Sequence, residues 1–290
     1  MTLILQSLLD GLIAGSIYAL FATGLTLIYG TLHFINFAHG ELIMAGAYLA
    51  YLFMIPPLGF SPFLSAGLAV LGVIGLALLM DKAVFRPLRN ASPLLLLIAS
   101  LGISLFLQNL AQTVWGAEIR TFPFSLERGL SFGPVVITRV QITILFVAAA
   151  TILFLYLLLK FTRAGKAIRG VSDNPRLAET FGVESEKIIR NVWILAAALA
   201  AVGGVLYAAD TNLEPHMGII NLVRAFAAVL LGGTGNVWGA LIGGFVIGLS
   251  ENLGVLILPL GYKDAIAFFI IIILLLFRPE GILGTRWGVR

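Results

Sequence analysis

The chain has 290 residues, of which 60% are hydrophobic and 11% are charged, with a formal net charge of +4 and no cysteine. Soluble domains carry about 45–50% apolar and about 25% charged residues, so this composition excludes an ordinary water-soluble domain and indicates a protein surrounded by lipid. The lack of cysteine excludes disulfides, iron–sulfur clusters and thiolate chemistry. The small positive charge, without a cluster of basic and aromatic residues, does not indicate binding to nucleic acid.

Apolar runs predict about eight membrane-spanning helices, each needing about 20 residues to cross. They cover residues 3–29, 43–55, 63–80, 94–114, 142–159, 192–208, 237–258 and 265–277. The first run exceeds the roughly 7–15 apolar residues of a signal peptide, so it is predicted to be a span. The second and eighth runs are short, and the second is expected to begin below the membrane surface. The sequence therefore predicts one domain, residues 1–290, that is an all-α, polytopic transmembrane bundle.

Basic residues between the spans predict the orientation. Lysine and arginine are concentrated in residues 81–90, in residues 160–190 and near the C-terminus. The positive-inside rule places these three segments in the cytoplasm. Three spans precede residues 81–90, so the N-terminus is expected outside and the C-terminus inside.

Two breaks interrupt the spans. Counting of crossings requires the chain to return inward before residue 237, so residues 222–231 are predicted to be a half-helix that dips in from outside and turns at residues 232–236. Another break, earlier in the chain at residues 31–41, is polar but contains no basic residue, unlike a typical cytoplasmic loop. Broken helices at corresponding places in two halves often build a transporter's mid-membrane site.

Polar residues at or near the breaks are candidates for a translocation path. An ionised side chain at the bilayer centre costs at least about 2.5–3.5 kcal/mol, so it is expected to face protein or water. The candidates are Asn36, His39, Glu41, Thr234, Asn236 and Glu251. The alternative is that these groups only cap the broken helices. No metal site is expected, because His33, His39 and Glu41 lack the spacing of helical ligands.

Glycines at four-residue intervals favour close helix packing. Small residues at that spacing let helix backbones approach each other in lipid. The predicted packing positions are Gly235, Gly239, Gly243, Gly244 and Gly248. Glycine backbone exposed along the path is the alternative.

The basic segment 160–190 is predicted to be a cytoplasmic coupling loop, in which a turn precedes a short amphipathic helix. Asp173 or Asn174 can cap that helix, Pro175 suits its first position, and Gly182 ends it. A helix with an apolar stripe but no core of its own is expected to dock on a partner protein or on the membrane surface. The candidate coupling residues are Gly165, Arg169, Asp173, Asn174, Pro175, Leu177 and Phe181. A merely solvated basic loop is the alternative.

The sequence lacks the phosphate-binding loop of nucleotide hydrolases and any evident nucleophile–base constellation. We therefore expect a protein that is not an enzyme and that cannot power transport by itself.

Several motifs in order resemble LivH-type permeases, the membrane subunits of ABC importers for branched-chain amino acids. They include IYAL (17–20), GLTLIYG (24–30), INFAHGEL (35–42), RPLR (86–89), residues 165–182, AVLLGG (228–233) and LFRPEG (276–281). The resemblance extends over essentially the whole chain.

The resemblance implies an importer in a prokaryotic inner membrane. A LivM-like second permease, two cytoplasmic ATPases that use ATP, and a substrate-binding protein outside would be the partners, and this chain would hold no cofactor. Urea or short-chain amides are alternative substrates within the wider family. An ion-coupled secondary transporter that acts alone and a structural membrane scaffold are alternatives of other classes.

Overall fold

The computed structural model describes residues 2–123, 129–133, 135–277 and 281–283, and these residues are mostly helical. The helices are α1 (Thr2–Leu32), α2 (Ala38–Met54), α3 (Pro62–Met80), α4 (Pro93–Trp115), α5 (Arg139–Phe161), α6 (Arg163–Asp173), α7 (Pro175–Thr180), α8 (Ser185–Asp210), α9 (Met217–Gly232), α10 (Val237–Gly254) and α11 (Lys263–Phe277). Two short strands, β1 (Leu130–Phe132) and β2 (Val135–Ile137), pair antiparallel. Helices α1, α3, α4, α5, α8 and α10 are long and apolar enough to cross a membrane. The predicted all-α polytopic fold is therefore confirmed.

The bundle has two chemically different ends. At one end, Arg89 forms ion pairs with Asp81, at 2.7 Å, and with Glu186, so the segment after α3 is tied to the start of α8. At the other end, Arg120 and Leu213 pair through their backbones, and the side chain of Gln6 donates to the carbonyl of Val136 at 3.1 Å. We call the end that carries residues 81–92 and 162–184 the basic end, and the other the opposite end.

Helix α1 is the centre of the bundle, and α3, α4 and α5 form its periphery. In the most apolar stretch of α1, 89% of the residues are buried, compared with 22% in α4 and in α5. The exposed side chains of these outer helices are mainly large and apolar, such as Leu105, Phe106 and Phe146. A peripheral apolar surface of this kind is suited to lipid.

The first break lies between α1 and α2. His33 adopts a positive φ of 55°, the left-handed conformation that commonly ends a helix, and α1 stops there. The chain then returns into the bundle, because His39 Nε2 lies 3.3 Å from the carbonyl oxygen of Phe21, well inside α1. Helix α2 therefore begins inside the bundle, as expected for the second run, although it starts at residue 38 and not at residue 43.

The second break lies between α9 and α10. Helix α9 has 16 residues and is longer than the predicted half-helix at residues 222–231. At 1.5 Å per residue it spans about 24 Å, slightly less than the roughly 30 Å of a hydrocarbon core. Its turn lies beside Gly30, near the end of α1, so the α9–α10 hairpin reaches the basic end.

Glycines bring helix α10 into backbone contact with α9 and α1. A Cβ atom at any of four α10 glycines would overlap backbone atoms of a neighbouring helix. The contacts are Gly239 with Gly232, Gly243 with Ala228, Gly244 with Ala19, and Gly248 with Gly15. Gly235 does not take part: it lies in the turn with a φ of +83°, and no described heavy atom lies within 4 Å of its Cβ position. Its backbone conformation, and not packing, requires glycine there.

Replacing Gly243 with alanine is expected to destabilise the bundle. The added methyl group overlaps the carbonyl oxygen of Ala228, so α9 and α10 must separate. Overpacking of this kind costs about 1–3 kcal/mol, and more where backbone must move. Thermal unfolding of the purified protein measures the effect. Gly75→Ala is the matched control, because no described atom lies near its Cβ position; equal unfolding temperatures for the two variants would contradict the packing contact.

Candidate functional site

A buried ion pair joins α9 to α10. Arg224 Nε lies 3.4 Å from Glu251 Oε1, and the carboxylate of Glu251 is fully buried. The hydroxyl of Tyr18 donates to Glu251 Oε2 at 2.9 Å, and the guanidinium of Arg224 lies 5.5 Å from the centre of the Tyr18 ring. Glu251, predicted as a path residue, is therefore held by a cation and a hydroxyl group inside the protein.

Arg224 extends this pair to a fourth helix. Its Nη1 atom donates to Asn221 Oδ1 at 3.3 Å and to the hydroxyl of Tyr207, in α8, at 3.4 Å. Asn221 in turn donates to the carbonyl of Met217 at 2.9 Å. Polar groups of α1, α8, α9 and α10 thus form one connected network in an apolar bundle. Because removing one partner of a buried pair leaves an uncompensated charge, the network fixes α9 in place.

Sequence reasoning missed Arg224, although it found Glu251. The arginine lies within residues 222–231, which were identified as a half-helix from chain parity alone. A basic residue in an apolar helix needs a buried partner as much as an acidic one does. From that requirement, the pairing of Arg224 with Glu251 could have been predicted from the sequence.

A second polar cluster surrounds Glu41 at the start of α2. Ser104 of α4 donates to Glu41 Oε1 at 2.9 Å, and the residue is 1% exposed. Glu41 Oε2 has no hydrogen-bond donor in the described part of the chain. Gly218, in the first turn of α9, lies directly beside this carboxylate, and its backbone also touches that of Gly40. The starts of two helices therefore meet at Glu41.

Asn36 and His39 lie in the same break, and both are fully buried. Asn36 Oδ1 accepts from the backbone N–H of Ala38 at 3.1 Å, and Ser100 Oγ accepts from that of Phe37 at 3.1 Å. His39 directs Nε2 to the carbonyl of Phe21, which can only accept, so this nitrogen carries the proton. The capping contacts expected under the alternative interpretation are present, and a role in a path stays a prediction for both residues.

Thr234 and Asn236 lie in the turn between α9 and α10. Asn236 Oδ1 accepts from the backbone of Trp238 and Gly239 at 3.0 and 3.1 Å, and thereby caps α10. Its Nδ2 atom donates to the carbonyl of Leu283 at 3.0 Å. The turn is thus connected to the C-terminal segment, residues 281–283.

Helix α9 brings the two clusters together. In the first cluster, Gly218 of α9 touches Glu41. In the second cluster, Arg224 of α9 contacts both Asn221 and Glu251. Positions spaced by three residues share one side of a helix, so one side of α9 carries all three residues. The turn residues, in contrast, lie at the basic end, apart from both buried carboxylates.

The basic segment differs in part from its prediction. Residues 163–173, expected to be a basic stretch and a turn, form helix α6, which Thr162 caps by accepting from the backbone of Gly165 at 3.1 Å. Gly165 is packed against the backbone of Leu159, and Arg169 donates to the carbonyl of the same residue. These contacts with Leu159 hold residues 163–173 as a helix against the end of α5, and they were not predicted from the sequence.

Helix α7 agrees with the predicted capping. Asn174, and not Asp173, accepts from the backbone of Leu177 at 3.0 Å, and Pro175 occupies the first helical position. Leu177 and Phe181 are 55% and 79% exposed. Helix α7 and the residue that directly follows it thus present two large apolar side chains beside charged neighbours. Such a surface is suited to a partner.

A groove of about 380 Å³ lies between α5 and α8, apart from these polar residues. Its lining is apolar and includes Phe146, Phe154, Leu195 and Leu199. An apolar groove offers nothing to a charged solute, so the buried polar clusters are the better candidates for a path.

Known proteins of one kind resemble the chain along its length. The family described as "Branched-chain amino acid transport system / permease component" matches residues 7–275. The permease protein BraD of a high-affinity branched-chain amino acid transport system from Pseudomonas aeruginosa is 35% identical, over 97% of this chain and 95% of BraD.

Two further relatives carry the name LivH. The one from Methanocaldococcus jannaschii, a probable branched-chain amino acid transport permease, is 36% identical over 97% of this chain and 93% of its own. The high-affinity LivH of Escherichia coli is 32% identical over 97% and 95%. Among solved structures, a chain of PsaBC from Streptococcus pneumoniae in complex with Fab matches 97% of this chain and 93% of its own, with a TM-score of 0.52 and 14% identity. That likeness concerns the fold alone.

Removing one member of the Arg224–Glu251 pair is expected to cost more than removing both. Arg224→Met leaves the buried carboxylate of Glu251 without its cation, a loss of about 3–5 kcal/mol, whereas Arg224→Met/Glu251→Leu removes both charges. Yield of the folded protein and its unfolding temperature measure the effect. We expect both quantities to fall in each single variant and to recover in the double variant. Additive losses in the double variant would show that the two charges do not stabilise one another.

Proposed function

The chain belongs to the family of branched-chain amino acid transport system permease components, and on that premise we propose that it is a membrane-spanning subunit of an ABC importer. Its substrates are branched-chain or related amino acids, and separate ATPase subunits supply the energy. The observation that carries this proposal is the similarity to BraD and LivH proteins, which extends over 97% of the chain. The bundle of long apolar helices supports it.

The proposed assembly contains four kinds of protein. This chain pairs with a second, LivM-like permease, two ATPases bind at the basic end, and a substrate-binding protein docks at the opposite end. The chain itself holds no cofactor, and ATP is used by the ATPases. The basic end lies in the cytoplasm under the positive-inside rule, which places the start of α1 outside. The ion pair between Arg89 and Glu186 brings residues 81–90 and 160–190 to the same end of the bundle, as this rule requires.

Helix α7 is the proposed ATPase-coupling surface. Leu177 and Phe181 expose apolar side chains in a segment that lies outside the apolar spans. Covering a phenylalanine side chain contributes about 1.5–3 kcal/mol, which would strengthen the docking of an ATPase subunit by about ten-fold or more. Helix α6 joins this surface to the end of α5 through Gly165 and Arg169, so movement of an ATPase would be passed to the bundle.

The proposed path passes the two breaks, at Asn36–Glu41 and at the turn that contains Thr234 and Asn236. At the first break, unwound backbone at membrane depth is tolerated because it is buried in protein. A zwitterionic amino acid needs both charged and hydrogen-bonding partners when it leaves water, and the Glu41 cluster offers them. High affinity is not required of the permease, because the binding protein supplies it.

Co-purification tests the proposed assembly. The tagged chain, extracted in mild detergent from cells that express the whole transport system, is expected to retain two ATPase copies and a second permease. Recovery of the folded chain without any ATPase would exclude an ABC importer and favour a secondary transporter.

Phe181→Asp is expected to weaken ATPase docking and uptake without unfolding the bundle. The side chain is mostly exposed, so the substitution removes only its contact with a partner. Loss of about 1.5–3 kcal/mol corresponds to a ten-fold or larger fall in ATPase binding. Retained ATPase per permease and initial leucine uptake are measured together. Phe181→Leu, which keeps an apolar contact, is the matched control; normal docking and uptake in Phe181→Asp would assign coupling to another surface.

Glu41→Gln is expected to slow uptake while the complex still assembles. The amide keeps an acceptor for Ser104 but loses the negative charge, and hydrogen bonds to charged groups contribute about 1.5–3 kcal/mol. We expect leucine uptake to fall about ten-fold or more at a normal level of assembled complex. Unchanged uptake would return Glu41 to a structural role at the start of α2.

A further inference from the structure

The C-terminal segment, residues 281–283, folds back onto the end of α9. The backbone N–H of Ile282 donates to the carbonyl of Leu231 at 2.7 Å, and that of Leu283 donates to the carbonyl of Gly232 at 3.0 Å. The last carbonyls of a helix have no partner within the helix. Helix α9 is therefore completed by a segment from much later in the chain.

Glycine permits this close approach. Gly281 adopts a φ of +81°, and a Cβ atom there would lie 2.5 Å from the nitrogen of Gly233 and 2.7 Å from the carbonyl oxygen of Leu230. Any other residue would be strained in its own backbone and would overlap the turn between α9 and α10. Two sequence motifs, LFRPEG (276–281) and AVLLGG (228–233), therefore meet in the fold at their final glycines.

The turn that the C-terminal segment contacts also lies against α1 and α6. A Cβ atom at Gly30, near the end of α1, would lie 3.8 Å from the carbonyl oxygen of Gly235 and 3.8 Å from Oγ of Ser172, in α6. These are ordinary van der Waals distances, so the three elements meet without overlap. The C-terminal segment is thus connected, through this turn, to the segment proposed to couple the ATPases.

Two side chains of the C-terminal segment are exposed although their backbone is fixed. Ile282 and Leu283 are 40% and 41% exposed, while the backbone N–H groups of both are hydrogen-bonded. Lipid explains such exposure on α3, α4 and α5, but this segment lies at the basic end, beyond α11. Adjacent apolar side chains held in place outside the spans are suited to a protein partner. Leu177 and Phe181 of α7 are exposed at the same end.

The position of the segment selects the partner. Among the subunits of the proposed assembly, only the ATPases lie wholly in the cytoplasm, which is where the positive-inside rule places the basic end. We propose that Ile282 and Leu283 form a second docking surface for the ATPase subunits, in addition to the one proposed on α7. This inference rests on the proposed function.

A second docking surface changes how movement of an ATPase would reach the bundle. An ATPase bound to Ile282 and Leu283 touches a segment that is hydrogen-bonded to the end of α9. Asn236, in the turn before α10, also donates to the carbonyl of Leu283 at 3.0 Å. Movement of the ATPase therefore reaches the α9–α10 hairpin directly, and not only through α6 and α5.

Photocrosslinking in the complete transporter tests this surface. Photoreactive benzoylphenylalanine replaces Leu283, and membranes from cells that express the whole transport system are irradiated. Leu58 is the matched control, because it is 43% exposed and lies at the opposite end, after α2. We expect a covalent adduct with an ATPase subunit, identified by mass spectrometry, from position 283 and none from position 58.

Leu283→Asp is expected to weaken ATPase docking while the hydrogen bonds of the segment are kept, because these use only backbone atoms of Leu283. A carboxylate is costly to bury against an apolar partner, so the ATPase retained per permease and the initial leucine uptake are both expected to fall about ten-fold. Leu283→Met, which stays apolar, is expected to keep both values, and Leu58→Asp is expected to keep the normal ATPase content. The same two substitutions at Ile282 replace this test if a Leu283 variant does not fold.

Two outcomes overturn the second docking surface. One is an adduct from position 283 with lipid or with the second permease but not with an ATPase, and the other is normal ATPase content and uptake in Leu283→Asp. The same photoreactive probe at Leu177, on α7, separates these results from failure of the proposed function, since an ATPase adduct at Leu177 alone confines docking to α7. Absence of any ATPase from the purified parent complex contradicts the proposed function and, with it, this inference.

Discussion

Backbone-to-backbone contact at glycine is the constraint on which the bundle depends. Lipid provides no hydrophobic force to press helices together, so α9, α10 and α1 are held by close packing and by polar contacts. Four glycines of α10 have no side chain to hold the neighbouring helix away: Gly239, Gly243, Gly244 and Gly248. The α9–α10 hairpin, which is the second broken element, can therefore lie inside the protein.

Helix α9 connects the polar chemistry of the bundle. Its first turn touches Glu41, and Arg224, about two turns later, pairs with Glu251. A buried ion pair is costly to break, so it resists movement of α9 at this point. The turn that follows α9 lies beside Gly30 and near Ser172 of α6, which brings this helix close to the proposed coupling segment.

Hydropathy and charge were sufficient to predict the class of the fold, because both report directly on contact with lipid and water. Counting the membrane crossings was sufficient to predict a helix before α10. It was not sufficient to predict that this helix begins at Met217, because residues 211–221 are neither clearly apolar nor clearly polar. Helix α6 was expected as a turn because its basic composition hides the joint between Gly165 and Leu159. Contacts between residues far apart in the sequence could not be predicted: Tyr18 and Glu251, which share a hydrogen bond, are 233 positions apart.

The spacing of Ser100, Ser104, Gln108 and Gln112 was visible in the sequence, yet its meaning depends on which residues of other helices face α4. The basic C-terminal residues Arg278, Arg286 and Arg290 lie outside the described residues, and the orientation they favour stays a prediction.

Transport by purified components tests the central claim most directly, namely that this polypeptide carries an amino acid only when neighbouring subunits hydrolyse ATP. The chain, its permease partner, the ATPases and the binding protein would be reconstituted in vesicles, and uptake of radiolabelled leucine would be followed with each component omitted in turn. We predict leucine accumulation that requires ATP and that is lost when the ATPases are left out. Accumulation by this chain alone, driven by a proton or sodium gradient, would contradict it.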